Sequence, residues 1–129
     1  MDGNEYSKEW LKYANIDYSV ANYLQNHHPI PIEIICYHCQ QAGEKALKAL
    51  LAFHNEEIQK AHDLYTLLEL HSSRYPDMIS RFSEQAVRLS DYATITRYPE
   101  NTNDLTDADI PVALEYAKQI LSHIEDLCS

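Results

Sequence analysis

The stretch YHCQQAGEKALKALLAFHNEEIQKAHDL, residues 37–64, decides the fold. Its first two thirds repeat small and apolar residues at helical spacing. Ala42, Ala46, Leu47, Leu50 and Leu51 form a wide apolar surface, and Gln41, Glu44, Lys45 and Lys48 follow at i, i+3, i+4 and i+7 on one polar face. Upstream, Ile35, Cys36 and Cys39 extend the apolar row, so the spacing predicts a central helix over about Pro31 to His54. Pro31 is expected in its first turn, where a missing N–H costs nothing. After a break, Lys60-Ala61-His62-Asp63-Leu64 opens a second, shorter helix, with Asp63 placed to cap it.

Working outward, the same periodicity predicts three more helices. One covers about Glu5 to Asn26, with Trp10, Ala14, Asp17, Ala21 and Leu24 in one row. It ends at His27-His28-Pro29-Ile30-Pro31, because the residue before a proline avoids the helical region. The short helix runs from about His62 to Ser73. Another spans about Asp77 to Ile95, with Ile79, Phe82, Ala86, Leu89 and Ala93 inward. The last covers about Asp107 to Leu127, with Thr106 or Asp107 as its cap and Pro111 near its first turn. The expected architecture is all-α, an up-and-down bundle of four to five helices in a single domain over residues 1–129.

Composition narrows the function. The 129 residues include only two Gly and five Pro, which disfavours a turn-rich β fold. The formal net charge of -10 opposes non-specific nucleic-acid binding, which rests on Lys and Arg meeting phosphates. No run of 18 apolar residues predicts a membrane span, and the first residues lack the basic start and apolar core of a signal peptide. Three Cys, an odd number, fit reduced thiols and a cytoplasmic location better than a disulfide framework.

Several residues carry two readings. Asp17 lies in an apolar row and needs a partner if buried; Lys45, Lys48 and Arg97 are the candidates. Gln41, Lys45 and Lys48 suit an anionic ligand such as a nucleotide, and equally a solvated face laced by a Glu44–Lys48 pair. His62 beside Asp63 offers a general acid or base near neutral pH, or simply a capped helix start. Arg97-Tyr98-Pro99 offers a bidentate phosphate grip and a stacking ring, or a helix stop. Cys36-Tyr37-His38-Cys39 has the C-x-x-C spacing, yet no further ligand pair accompanies it, so these thiols read as small core residues and no metal or other cofactor is expected.

Gln40-Gln41-Ala42-x-Glu44-Lys45-Ala46-Leu47-Lys48-Ala49, then Lys60-x-His62-Asp63-Leu64, then Arg97-Tyr98-Pro99 resemble the HEPN family in its own motif order. The resemblance implies a helical bundle of four or five helices, often dimeric. Many members are metal-independent ribonucleases with an Arg, four to six residues, then a His. No His follows Arg74, Arg81, Arg88 or Arg97 at that spacing, so those catalytic residues are not carried over. The other branch of the family accompanies small nucleotidyltransferases, in toxin–antitoxin-like pairs, as a substrate-binding subunit. The resemblance therefore implies a homodimeric, non-catalytic companion that binds a nucleotide, ATP being one candidate. Lys45, Lys48, His62 and Arg97 would contact phosphate, with Asp17, Gln41, Asp63 and Tyr98 around them. The alternatives are a divergent ribonuclease using His62 and Arg97, or a purely structural interaction domain.

Overall fold

The computed structural model describes residues 1–96, 98, 100 and 104–129. Among the described residues five α-helices make up the fold: α1 (Gly3–Leu24), α2 (Ile32–Phe53), α3 (Leu64–His71), α4 (Met78–Thr96) and α5 (Asp109–Leu127). No strand occurs among the described residues. α2 is the centre: α1 packs along it, α5 and α4 cover its other faces, and the short α3 is held against α2 and α4. From Ala46 to Ala52 every residue of α2 is buried, which leaves this segment no solvent face.

The helix ends follow local chemistry. α1 starts earlier than its apolar periodicity indicates, because Asp2 caps it: its Oδ1 accepts the Glu5 N–H at 2.8 Å. Pro31 stands at the cap position of α2, just outside the first turn where it was expected. α2 ends in a Schellman motif. The N–H of Asn55 donates to the Ala52 carbonyl and that of Glu56 to the Leu51 carbonyl, with Asn55 in the left-handed region at φ 57°. Gly3 lies beside this turn, where a Cβ would stand 2.5 Å from the Ala52 carbonyl oxygen. The start of α1 therefore meets the end of α2, and the two helices are antiparallel.

α3 is shorter than the periodicity suggests. Asp63 caps it as expected, accepting from the Tyr65 N–H at 3.2 Å, which leaves His62 outside the helix. In α4 the buried row is Met78, Phe82, Ala86, Leu89 and Tyr92; Ile79 and Ala93 are only half-buried. α5 begins two residues later than expected. Neither Thr106 nor Asp107 caps it, because Asp109 draws the segment in: its carboxylate accepts the Thr106 N–H at 2.8 Å and the Tyr92 hydroxyl at 2.9 Å. Burial and this hydrogen bond to a carboxylate both push the Tyr92 hydroxyl to a higher pKa.

The core is a single apolar cluster drawn from all five helices. Cys36 and Cys39 belong to it as free, buried thiols, and burial pushes the Cys36 thiol up to about 12. Gly43 lies where α2, α3, α4 and α5 meet: a Cβ there would stand 2.8 Å from a Leu64 methyl. His71 is the imidazole of the core. Its Nε2 lies 2.9 Å from the Leu47 carbonyl oxygen, so Nε2 carries the proton and donates.

Burial lowers the pKa of His71 below its ordinary 6.5, and also lowers those of His54 and His123. The unfolded chain then binds more protons than the folded one on the acid side. Stability is full above about pH 6.5 and falls as pH drops through the folded values, by at most about 1.4 kcal/mol per pH unit for each such group. Urea midpoints are expected to fall between pH 7 and pH 5. A His71→Gln variant, which keeps an N–H donor for Leu47, should show a shallower decline.

Candidate functional site

The cleft begins on α2. Successive turns of its buried side carry Gln40, Glu44 and Lys48, each four residues from the last, and the three side chains form a connected polar row. Gln40 Nε2 donates to Glu44 Oε1 at 3.2 Å and to the His62 carbonyl at 3.0 Å. Lys48 Nζ donates to Glu44 Oε2 at 3.2 Å, and both side chains of this pair are only 7% exposed. Gln41 Nε2 donates to Gln40 Oε1 at 2.9 Å. The expected Glu44–Lys48 pair is thus present, but it is buried and not part of a solvated face. Trp10 helps to bury it, with Lys48 Nζ 5.9 Å from the indole ring centroid.

Above this row opens a cleft of about 460 Å³ between the first half of α2, the segment before α3 and the end of α4. Ile34, Ala93 and Thr96 form its walls, and Glu33, Tyr37, Gln40, Gln41, Glu44 and His62 supply the polar groups and one aromatic ring. The Tyr37 side chain is well exposed. His62 projects into solvent with its Nδ1 3.4 Å from both Glu44 oxygens, a long and weak contact. Neither Lys nor Arg lines the cleft among the described residues, and the charge of Glu44 is balanced by Lys48 beneath it.

The sequence candidates divide between this cleft and its surroundings. Gln41 and His62 line it. Asp63 lies beside it as the α3 cap, and also accepts from the Thr66 hydroxyl at 3.1 Å. Tyr98 is exposed. Lys48 is beneath the cleft, committed to Glu44. Asp17 and Lys45 lie elsewhere, at the α1–α2 seam, where Lys45 Nζ donates to Asp17 Oδ2 at 2.6 Å and His38 Nδ1 approaches Asp17 Oδ1 at 2.9 Å. Of the three cations considered for Asp17, Lys45 is the partner found and Lys48 is not; Arg97, together with Pro99, lies outside the described residues. Sequence reasoning missed His38, Gln40 and Tyr37. Gln40 had a usable signal, since Gln40, Glu44 and Lys48 make an i, i+4, i+8 row. His38 and Tyr37 lay inside the C-x-x-C pattern and were read only as part of it.

Chemically, the cleft offers hydrogen-bonding groups and an aromatic face. Among the described residues, no three or more His, Cys, Asp or Glu side chains gather as a metal site. No helix described is long and apolar enough to cross a membrane.

The HEPN domain model matches residues 7–127, nearly the whole chain and every helix just described. The chain belongs to the HEPN family. Its fold agrees closely with two solved structures. One is TT1696 from Thermus thermophilus, with a TM-score of 0.78 and 25% identity over 93% of this chain and 96% of the other. The second is ST0689, an archaeal HEPN homologue, with a TM-score of 0.76 and 26% identity over 95% of this chain and 98% of the other. No curated protein matches the sequence.

The buried pair gives the HEPN bundle a sharp energetic signature. Removing one partner leaves the other charge buried and uncompensated, at a cost of about 3–5 kcal/mol, whereas replacing both by apolar groups is far milder. Glu44→Gln and Lys48→Met should each destabilise the chain strongly in urea titrations. The double variant Glu44→Met/Lys48→Met should recover most of that loss.

Proposed function

We propose that this HEPN protein is a non-catalytic nucleotide-binding companion of a nucleotidyltransferase, acting as a homodimer in a toxin–antitoxin-like pair. The observation that carries the reading is the cleft over α2. It pairs an exposed aromatic ring, Tyr37, with the Gln41 amide and the His62 imidazole along a polar edge. A planar, hydrogen-bonding ring such as a nucleobase fits that arrangement: the ring stacks on Tyr37, and its edge meets Gln41 and His62. The buried row below supports this, since Gln40 fixes Gln41 and Glu44 is itself held by Lys48.

Charge decides the orientation. No described cation lines the cleft and the exposed Glu33 carboxylate repels phosphate, so the phosphates point out toward the rim. The cations nearest in sequence to that rim are exposed Lys60, two residues before His62, and Arg97, directly after Thr96. In this reading Lys48 supports the site by holding Glu44, and Lys45 holds Asp17 at the α1–α2 seam. The companion role rests on family membership together with the lack of an Arg-x4-6-His arrangement in the sequence.

Calorimetric titration with ATP, AMP and adenosine tests the cleft. All three are expected to bind through the base, and Tyr37→Ala to weaken each about tenfold, the usual scale for losing one stacking contact. Gln41→Ala should weaken adenine and guanine ligands unequally, with the helical circular dichroism unchanged. Equal affinity in wild type and Tyr37→Ala would refute the assignment. Co-purification with a nucleotidyltransferase from source cells tests the companion role separately.

A further inference from the structure

The polar row on α2 has a direction, and that direction ends in the cleft. It starts from an atom that can only accept, the backbone carbonyl oxygen of His62. One end of the Gln40 amide lies 3.0 Å from that oxygen, so that end is the nitrogen. The same nitrogen gives its other proton to the Glu44 carboxylate at 3.2 Å, a second partner that only accepts. Gln40 is buried, and both its amide protons are used inside the bundle. Its Oε1 is therefore the atom that faces Gln41, and an oxygen there needs a donor. Gln41 supplies it through Nε2 at 2.9 Å. A backbone atom of the segment before α3 thus dictates, through Gln40, which way the Gln41 amide is turned.

Gln41 keeps a carbonyl oxygen and one N–H for other partners. No donor among the described residues reaches that oxygen, and Gln41 lines the cleft. The rest of the lining has the same polarity. Thr96 gives its single hydroxyl proton to the Ala93 carbonyl at 3.3 Å, which leaves its oxygen as an acceptor. The exposed Glu33 carboxylate only accepts. His62 turns Nδ1 toward the Glu44 carboxylate, which favours the neutral tautomer with its proton on Nδ1 and a lone pair on Nε2. Against these acceptors stand the second Gln41 N–H and the Tyr37 hydroxyl. A ligand edge that meets this cleft has to bring protons to it.

Nucleobases differ in this respect. Adenine, guanine and cytosine carry an exocyclic amino group, whereas uracil and hypoxanthine present carbonyl oxygens and no amino group. An amino group facing Gln41 Oε1 makes a hydrogen bond. A carbonyl there leaves two acceptors opposed and unsatisfied. We propose that the cleft selects bases with an exocyclic amino group, with Gln41 Oε1 as the atom that recognises it and Gln40 as the residue that positions Gln41. This rests on the nucleotide reading above and adds to it a rule for the base. In adenine the ring nitrogen beside the amino group takes the remaining Gln41 N–H. In guanine the amino group and the neighbouring ring N–H form a two-proton edge that suits the Glu33 carboxylate. A surface glutamine free to turn end for end offers N–H or C=O as required and discriminates nothing. The lock supplied by Gln40 removes that freedom.

Calorimetric titration of the full chain with AMP, GMP and IMP tests the rule. IMP differs from GMP only in lacking the amino group, and it carries an oxygen where AMP carries its amino group. AMP and GMP should each bind at least about tenfold tighter than IMP, the scale of one hydrogen bond exchanged for an unpaired acceptor. Gln41→Met, at a half-buried position, removes the acceptor, and AMP and GMP should fall to within about threefold of IMP. Gln40→Met frees the Gln41 amide to turn, so the preference over IMP should shrink there too, with helical content unchanged. That ratio is what a merely structural Gln40 would leave alone. Equal binding of all three, still weakened by Tyr37→Ala, would overturn the amino rule and leave the nucleotide site standing. A preference that survives Gln41→Met would overturn the part given to Gln41. Failure of all three to bind would overturn the rule and the nucleotide reading together.

Discussion

The buried ion pair between Glu44 and Lys48 constrains everything around it. Helix α2 is enclosed by the other four helices, and an enclosed helix is ordinarily apolar on all sides. This one carries two opposite charges one turn apart in a region almost free of water. Neither charge can be buried alone, so α1, through Trp10, closes over Lys48 while Gln40 and the segment before α3 close over Glu44. The chain between α2 and α3 is thereby fixed at the point where His62 leaves the bundle. Ala93 and Thr96, near the end of α4, form the small-residue wall of the cleft opposite that fixed point.

The architecture was legible because the apolar periodicity of four long helices is strong, and it survives errors at the ends. Those errors share one cause. Helix limits are set by individual capping side chains, and a cap satisfied through tertiary contact leaves no periodic trace. Asp109 is such a case, shared between the Thr106 N–H and the Tyr92 hydroxyl seventeen residues upstream. Asp2 is the reverse: a strictly local cap followed by a glycine, which helical propensity alone discounts.

The polar residues were less legible for a different reason. Spacing on one helix places Gln41, Glu44, Lys45 and Lys48 together, but it does not say which neighbours cover them. Lys45 and Lys48 are three residues apart, yet Lys45 turns toward Asp17 at the α1 seam while Lys48 turns inward to Glu44. What sends them apart is the position of Asp17 and Trp10 on another helix. His38 shows the same limit, since its partner is the carboxylate 21 residues before it. An acidic chain with few cations commits Lys45 and Lys48 to such pairs, and the cleft that remains is lined by amides, carboxylates, an imidazole and one phenol ring, with no Lys or Arg lining it among the described residues.

One further property follows from where Trp10 sits. It is the only tryptophan in the chain, and its indole lies beneath the ammonium of Lys48, on the wall of a pocket along the outer face of α1, and away from the cleft over α2. The molecule therefore carries one indole fluorophore at the junction of its internal charges and the outer face of α1. Its emission answers to the electrostatic state of α2 and to whatever covers α1. A ring entering the cleft lies beyond its immediate surroundings, so the same optical signal separates events on the two sides of the central helix.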